Sequence, residues 1–272
     1  MSTTLTQPAA PSQRQANTWP VWLRQPTRYV YSVLGLVVLV ALWSWGIRFL
    51  AADIPLAAML APTPTFHSLY DLLVSGQLTA HTLQSLQRVL VGLGLALVIG
   101  VPLGLAIGSS RLLEHMSSTA FQFLRMISPL SWMPVAVMVF GIGNAPIYFL
   151  LTFAAVWPIM LNTAAGVRQL NPKWLMLARS LSATRSEVLF KIMIPGVLGN
   201  VLTGVRLAIG VIWIVLVPCE MLGVSAGLGY LILDTRDRMA YSELMAVIVL
   251  IGLIGYLLDS ALRALFAAFG QR

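Results

Sequence analysis

The sequence predicts an all-α membrane protein with six transmembrane helices, on three observations. Its 272 residues are 58% hydrophobic with a mean hydropathy of +0.85, more apolar surface than a soluble domain has interior to hide, so lipid must cover the rest. Several apolar windows exceed the roughly 20 residues that carry a helix across about 30 Å of hydrocarbon. The apolar/polar alternation of a membrane barrel is not seen.

The elements follow in order. The first 18 or so residues, rich in Ser, Thr, Gln, Pro and Ala without apolar periodicity, predict disorder within a cytoplasmic tail over residues 1–28. A first span is expected over residues 29–50. The apolar run after Arg28 is longer than the core of a secretory signal and follows a polar tail, so no cleaved signal peptide is expected. Residues 51–85 contain Pro55, Pro62 and Pro64, and the run APTPT at 61–65 predicts a stiff turn capping a surface helix that starts near Phe66. This segment and the first span make one unit, residues 29–85. Further spans are expected at 86–108, 117–141, 146–167, 197–221 and 242–266, a transmembrane domain over 86–266, with a cytoplasmic C-terminal tail at 267–272.

Orientation follows from Lys and Arg, which concentrate in cytoplasmic loops. With the N-terminus inside, Arg14, Arg24, Arg28, Arg111, Arg168, Lys173, Arg179, Arg185, Lys191, Arg263 and Arg272 fall on the cytoplasmic side, against Arg48, Arg236 and Arg238 outside. Both termini are therefore expected in the cytoplasm. The net charge of +8 is dispersed along these loops without the aromatic and basic clustering of a nucleic-acid surface, so no nucleic-acid partner is expected. His67, His81 and His115 are too scattered to share a metal and are expected at the surface. Cys219 is the single cysteine, which excludes a disulfide within the chain and suits a small packing residue.

No catalytic signature is present: no phosphate-cradling G-x-x-x-x-G-K-[ST], metal-ligand cluster or nucleophile elbow. An energy source must be an ion gradient or another subunit. The loop over residues 168–196 separates these alternatives. It holds five of the chain's 17 Lys and Arg residues. Asn171 and Pro172 read as the N-cap and first turn of a helix with Trp174, Leu175, Leu177, Ala178 and Leu181 on its apolar face. A polar break at 182–186 precedes a second helix through Val188, Leu189 and Ile192. Glu187 and Lys191 there are spaced as an i,i+4 pair, and Pro195 and Gly196 are expected to end it. Two short amphipathic helices suit either docking to a peripheral protein or lying on lipid headgroups.

The string LARSLSATRSEVLFKIMIP resembles the EAA loop of binding-protein-dependent ABC importer permeases. Ala178, Arg179, Leu181, Ala183, Thr184 and Arg185 follow that pattern. Met176 stands at its acidic position, Leu177 at its first alanine, Ser182 at its glycine and Ile194-Pro195 at its close. Residues 85–93, 124–143, 203–222 and 227–234 are similar to the nitrate, sulfonate, taurine and bicarbonate branch. The resemblance implies a type I ABC importer permease fold in the bacterial inner membrane. It also implies a homodimer of permeases on two cytoplasmic ATPase subunits, which bind the ATP and Mg²⁺ while this chain binds no cofactor, and an extracytoplasmic solute-binding protein. It makes Leu177, Ala178, Arg179, Ser180, Leu181, Ser182, Ala183, Thr184 and Arg185 the ATPase-coupling loop.

A translocation path is sought among polar groups inside spans. Pro129 and Pro134 each remove an intrahelical bond and flank Ser128, Ser131 and Trp132, a candidate wall. Arg125 and Arg206 are costly in hydrocarbon unless they are paired or wet. They either offer an oxyanion a favourable potential or snorkel and pair, with Glu114 or a carbonyl as partner. Glu220 is the one acid placed in span five, read as a structural or gating group at its outer end. Gly92, Gly94, Gly100, Gly104, Gly108, Gly204 and Gly210 would allow close helix approach, and Arg88-x-x-x-Gly92 echoes Arg206-x-x-x-Gly210. The expected function is import of a small anion, nitrate or an organic sulfonate such as taurine foremost, with bicarbonate also possible. The alternative, an ion-gradient transporter or channel, would need intramembrane acids, and beyond Glu220 only Asp259 is available.

Overall fold

A computed structural model describes residues 26–269 and is helical with no strand among them. The predicted N-terminal tail lies outside the described residues up to residue 25, and of the C-terminal tail only the last three residues do. Two compact units divide the chain after Pro62.

In the first unit, helix α1 (Pro26–Asp53) is apolar along its length and leads into a 3-10 turn (Pro55–Leu60). The indole Nε1 of Trp43 donates to the Leu60 carbonyl at 3.1 Å, tying the turn back to the helix.

The second unit carries the remaining helices. Helix α2 (Pro62–Val74) begins at Pro62, not near Phe66, because prolines at the first positions of a helix replace N–H groups that have no intrahelical acceptor. Gly76, at φ 74, turns the chain into α3 (Gln77–Ser109), which starts nine residues before the predicted span. The expected third span is broken. Helix α4 (Arg111–Met126), a 3-10 turn (Pro129–Trp132) and α5 (Met133–Phe140) meet at 85°. Ser128 is extended at ψ 131, as a residue before proline must be, and this ends α4. Pro134 lies in the first turn of α5 and so, contrary to expectation, costs no internal bond.

Helices α6 (Asn144–Gln169), α9 (Ile194–Glu220) and α11 (Tyr241–Phe269) follow the predicted spans within a few residues. Between them lie α7 (Pro172–Ser180), α8 (Arg185–Val188) and α10 (Leu228–Asp237). Half of α6 is buried, and Ile147, Leu150, Leu151, Ala154, Ala155 and Ile159 join Val89 and Ala96 of α3 with Ala208, Ile212 and Leu216 of α9 in one core. A Cβ on Gly92 would sit 2.7 Å from that of Leu151, and one on Gly100 3.0 Å from Ile159. Gly104, Gly108 and Gly204 are equally tight, whereas Gly94 and Gly210 have nothing within 4 Å. The echo between Arg88/Gly92 and Arg206/Gly210 therefore has no common packing role.

The expected stop at Pro195 does not occur. A π-helical turn (Leu189–Met193) joins α8 to α9, and helix runs unbroken from Arg185 to Glu220. Pro195 lacks the N–H for a bond to Lys191 and its ring would crowd that carbonyl; the wider π turn absorbs both defects.

Candidate functional site

At the end of the bundle where α3 begins and α9 ends, the structure buries one ion pair. Arg88 of α3 and Glu220 of α9 are 3% and 0% exposed, with Nη1 to Oε1 at 2.6 Å. The Ser85 hydroxyl donates to both Glu220 oxygens at 2.8 Å and accepts the Leu228 N–H, while the Gly229 N–H donates to Oε2 at 2.9 Å. Arg88 donates through Nε to Asn144 Oδ1, at the start of α6, and through Nη1 to the Ala226 carbonyl at 2.7 Å. His81 is not a simple surface residue, for its Nδ1 accepts the Gly227 N–H at 3.1 Å and its ring stacks on Tyr230. Gly227 holds φ 124, and a Cβ there would collide with both Arg88 and Glu220. The network pins α3, α6, α9 and α10 together with every charge paired, which suits a clamp and leaves no group free for a ligand.

The other candidate path residues lie elsewhere. Arg206 is half-exposed and 3.5 Å from Asp259, which also pairs with Arg263 at 2.9 Å. Arg125, in the last turn of α4, is exposed and donates to Gln122 at 3.1 Å, while Glu114 pairs with Arg168 of α6 at 2.7 Å and not with Arg125. A cleft between α4 and the C-terminal parts of α3 and α6 is lined by Glu114, Ser117, Ser118, Gln122, Arg125 and Arg168, with Ile107, Phe121, Met160, Leu161 and Ala164. Ser128 and Ser131 are exposed at the bend, and Trp132 packs on Phe153 of α6 with centroids 5.7 Å apart. The six predicted path residues thus fall in four places: the cleft with Arg125, the bend with Ser128, Ser131 and Trp132, the Asp259 pair with Arg206, and the buried clamp with Glu220. A signal for the clamp was present: one intramembrane acid and the arginine in Ser85-x-x-Arg88 must find each other in lipid.

The loop at residues 170–196 is built by capping. The Asn171 side chain accepts the Lys173 N–H at 3.0 Å, with Pro172 at the first helical position of α7. The helix ends as Ala183 N–H donates to Ala178 O at 2.9 Å and Ser182 N–H to Arg179 O at 3.0 Å, the paired bonds of a Schellman motif. Ser182, at φ 55, occupies the left-handed position that glycine fills without strain. Ser182→Gly is therefore expected to tighten the loop, read as slower hydrogen exchange at the Ser182 and Ala183 amides; faster exchange would show that the hydroxyl matters more than the strain.

Thr184 opens α8 with a reciprocal cap that the sequence reading passed over: Glu187 N–H donates to Thr184 Oγ1 at 3.3 Å, and Thr184 N–H to Glu187 Oε2 at 3.0 Å. The Thr184 N–H, then Lys191 at 3.1 Å, hold the Glu187 carboxyl down to about 2. Because the carboxyl is depressed, its stabilising contribution is present above the ordinary carboxylate value and is lost only as pH falls through about 2, so the cap is insensitive to physiological pH. Ala178 is buried, Ala183 half-buried, and Leu177, Arg179, Ser180, Leu181, Thr184 and Arg185 are exposed. A groove walled by Trp174, Leu177, Leu181, Ile192 and Pro195 runs beside them. Exposed leucine and tryptophan flanked by arginine can both fill a pocket and pair with acids on a partner.

Residues 97–272 match the family described as "Binding-protein-dependent transport system inner membrane component". The chain is 38% identical over 193 residues to the bicarbonate transport system permease protein CmpB of Synechococcus elongatus, covering 70% of this chain and 67% of that protein. It is 35% identical to the nitrate import permease NrtB of Synechocystis, over 64% of each chain. It is 31% identical to the taurine transport permease TauC of Escherichia coli, over 93% of this chain and 92% of that one. Among solved structures it resembles the inward-facing MetNI methionine ABC transporter at a TM-score of 0.57 and 20% identity, covering 68% of this chain and 92% of that one.

Proposed function

We propose, from the premise that this chain belongs to the binding-protein-dependent transport inner membrane component family, that it carries a small oxyanion inward through a homodimer driven by two ATPase subunits. The chain is a permease subunit of an ATP-driven importer and not an enzyme; ATP is hydrolysed in separate subunits. Bicarbonate, nitrate and taurine, named for its relatives, share a compact anionic group with acceptor oxygens, and this shared chemistry supports an inorganic or sulfonate oxyanion as substrate. An extracytoplasmic binding protein would deliver it. The charge asymmetry of the loops supports cytoplasmic termini.

The observation that carries the reading is the doubly capped loop, which leaves Leu177, Leu181, Arg179 and Arg185 exposed. Residues 177–185 would receive the ATPase. An ion-gradient mechanism is not favoured, because Glu220 and Asp259 are both paired with arginine. In the test, Arg179→Glu with Arg185→Glu abolishes uptake and retention of the ATPase on a tagged permease while leaving its thermal midpoint in detergent unchanged. Uptake that persists with both charges reversed would remove the coupling role.

A further inference from the structure

We propose that His81 is a proton-released latch: as a neutral imidazole it caps the N-terminus of α10 and holds α10 to α3, and on taking up a proton it lets that joint open.

Three consecutive backbone N–H groups open α10, and each is accepted by a side chain from another helix. Gly227 N–H donates to His81 Nδ1 at 3.1 Å, Leu228 N–H to Ser85 Oγ at 2.9 Å and Gly229 N–H to Glu220 Oε2 at 2.9 Å. The first N–H groups of a helix have no acceptor inside it, and Gly227 has no side chain to cap its own helix. Ser85 does not titrate and Glu220 is paired with Arg88, whereas an imidazole changes charge between about pH 5 and 8. To accept at Nδ1, the ring must carry its one proton on Nε2. A second proton goes to Nδ1, which then meets the Gly227 N–H donor to donor. His81 is half-buried and stacks on Tyr230 of α10 with centroids 6.0 Å apart, held in place yet within reach of solvent.

Nothing around the joint answers the new charge. The positive end of the α10 dipole is at this point, and Arg88 lies against Gly227. The acids on the surrounding elements are committed: Glu220 of α9 to Arg88, Asp234 of α10 and Glu243 of α11 to Arg238, Asp237 to Arg236, and Asp71 of α2 to His67. Helix α6 brings the uncharged Asn144, and the phenol of a tyrosine ionises only in alkaline solution. The latch also joins two packing clusters. Leu228 and Leu231 of α10 pack with residues of α2, α3 and α11, including Leu72, Leu78 and Val247, apart from the core of α3, α6 and α9. His81 is one turn along α3 from Leu78, at the boundary. Because the latched form holds His81 neutral, protons favour the open form. The latch's contribution to stability is therefore present in neutral solution and lost as the pH falls.

The test uses the full-length permease in lipid nanodiscs. Hydrogen exchange of the peptide from Gly227 to Leu231 is expressed as protection, the rate relative to the unfolded peptide at the same pH. From about pH 8 to about pH 5 this protection is expected to fall about tenfold, near the worth of the lost hydrogen bond. In His81→Asn, whose Oδ1 can take the Gly227 N–H and does not titrate, protection should stay level across the same range. His67→Asn should keep the wild-type profile. Histidine ¹⁵N spectra follow the ring itself; the chain has three histidines, and His81 is assigned by elimination in His67→Asn and His115→Asn. Its Nδ1 should be unprotonated at about pH 8 and protonated at about pH 5. A ring that stays neutral at the lower pH, a ring that gains its proton while the peptide keeps its protection, or an equal loss of protection in His81→Asn overturns the latch. If His81→Asn does not fold, the wild-type ring and peptide, read together against pH, decide by the first two of these results.

Discussion

Glu220→Ala is expected to destabilise the protein by about 3–5 kcal/mol, the cost of breaking a buried ion pair by removing one partner. The number is large because of what remains. Arg88 is 3% exposed and would keep its charge among apolar helices, while Ser85, the Gly229 N–H and the start of α10 would lose their acceptor. Arg88→Met with Glu220→Leu removes both charges and should cost much less than either single change, since no uncompensated charge is left. Thermal unfolding of the purified protein in detergent, run as a double-mutant cycle, separates the cases. A double variant no better than Glu220→Ala would mean that the clamp acts through shape and not charge.

Much of the architecture was legible because lipid imposes a length on each span. The five spans other than the third appear where the apolar windows stand, with α3 longer at its N-terminal end. The failures have local causes. Pro195 looked like a terminator because proline removes a helical N–H, yet a five-residue π turn accommodates it, and sequence does not distinguish a stopped helix from a widened one. Pro129 was read as a defect inside a span and proves to be the start of a new direction. Polar groups in apolar windows mark candidate path residues one at a time. Such a choice finds Arg206 and Glu220 without revealing that Asp259 and Arg88 neutralise them. Arg88 stands 132 residues from Glu220 in the chain, and although a lone acid and an arginine in lipid must each find a partner, spacing does not say which two meet. Ser182 is the opposite case: a departure from the family pattern falls at the one loop position where φ is positive, so the pattern's glycine has a backbone cause.

The two ends of the bundle are held differently, and the proposed function draws on that difference. At the end that holds Arg88 and Glu220 four helices meet in a saturated polar network. Toward the opposite end α4 is tied to α6 by an exposed ion pair and aromatic contacts. Helix from Arg185 to Glu220 is 36 residues, about 54 Å at 1.5 Å per residue, so its first turns stand outside the hydrocarbon. An ATPase pressing on the loop would therefore act on the end of a rod whose far end is the clamp. The π turn keeps the backbone helical through Pro195, so the loop and the clamp lie on one continuous helix. Motion would then appear where restraint is weakest, at the bent span.

That rod needs a rigid bed, and the α3–α6 contact supplies it, which makes Gly104 the second position of large effect. A Cβ on Gly104 would lie 2.6 Å from the Met160 carbonyl oxygen and 2.6 Å from Thr163 Cβ, closer than real contacts allow. The obstacle is backbone and a β-carbon, neither of which moves by rotating a side chain. Gly104→Ala is therefore expected to cost about 1–3 kcal/mol by overpacking, and Gly104→Leu more, by forcing the two helices apart and opening the core around Ile159. Gly94→Ala, in the same helix with nothing within 4 Å, should instead gain up to about 1 kcal/mol, because alanine restricts the unfolded chain and favours helix. Both substitutions add one methyl group to one helix, so propensity predicts that they raise the thermal midpoint together, whereas close packing predicts opposite shifts. A rise in both would show that α3 and α6 have slack between them, and a bed with slack would not hold the rod against the clamp.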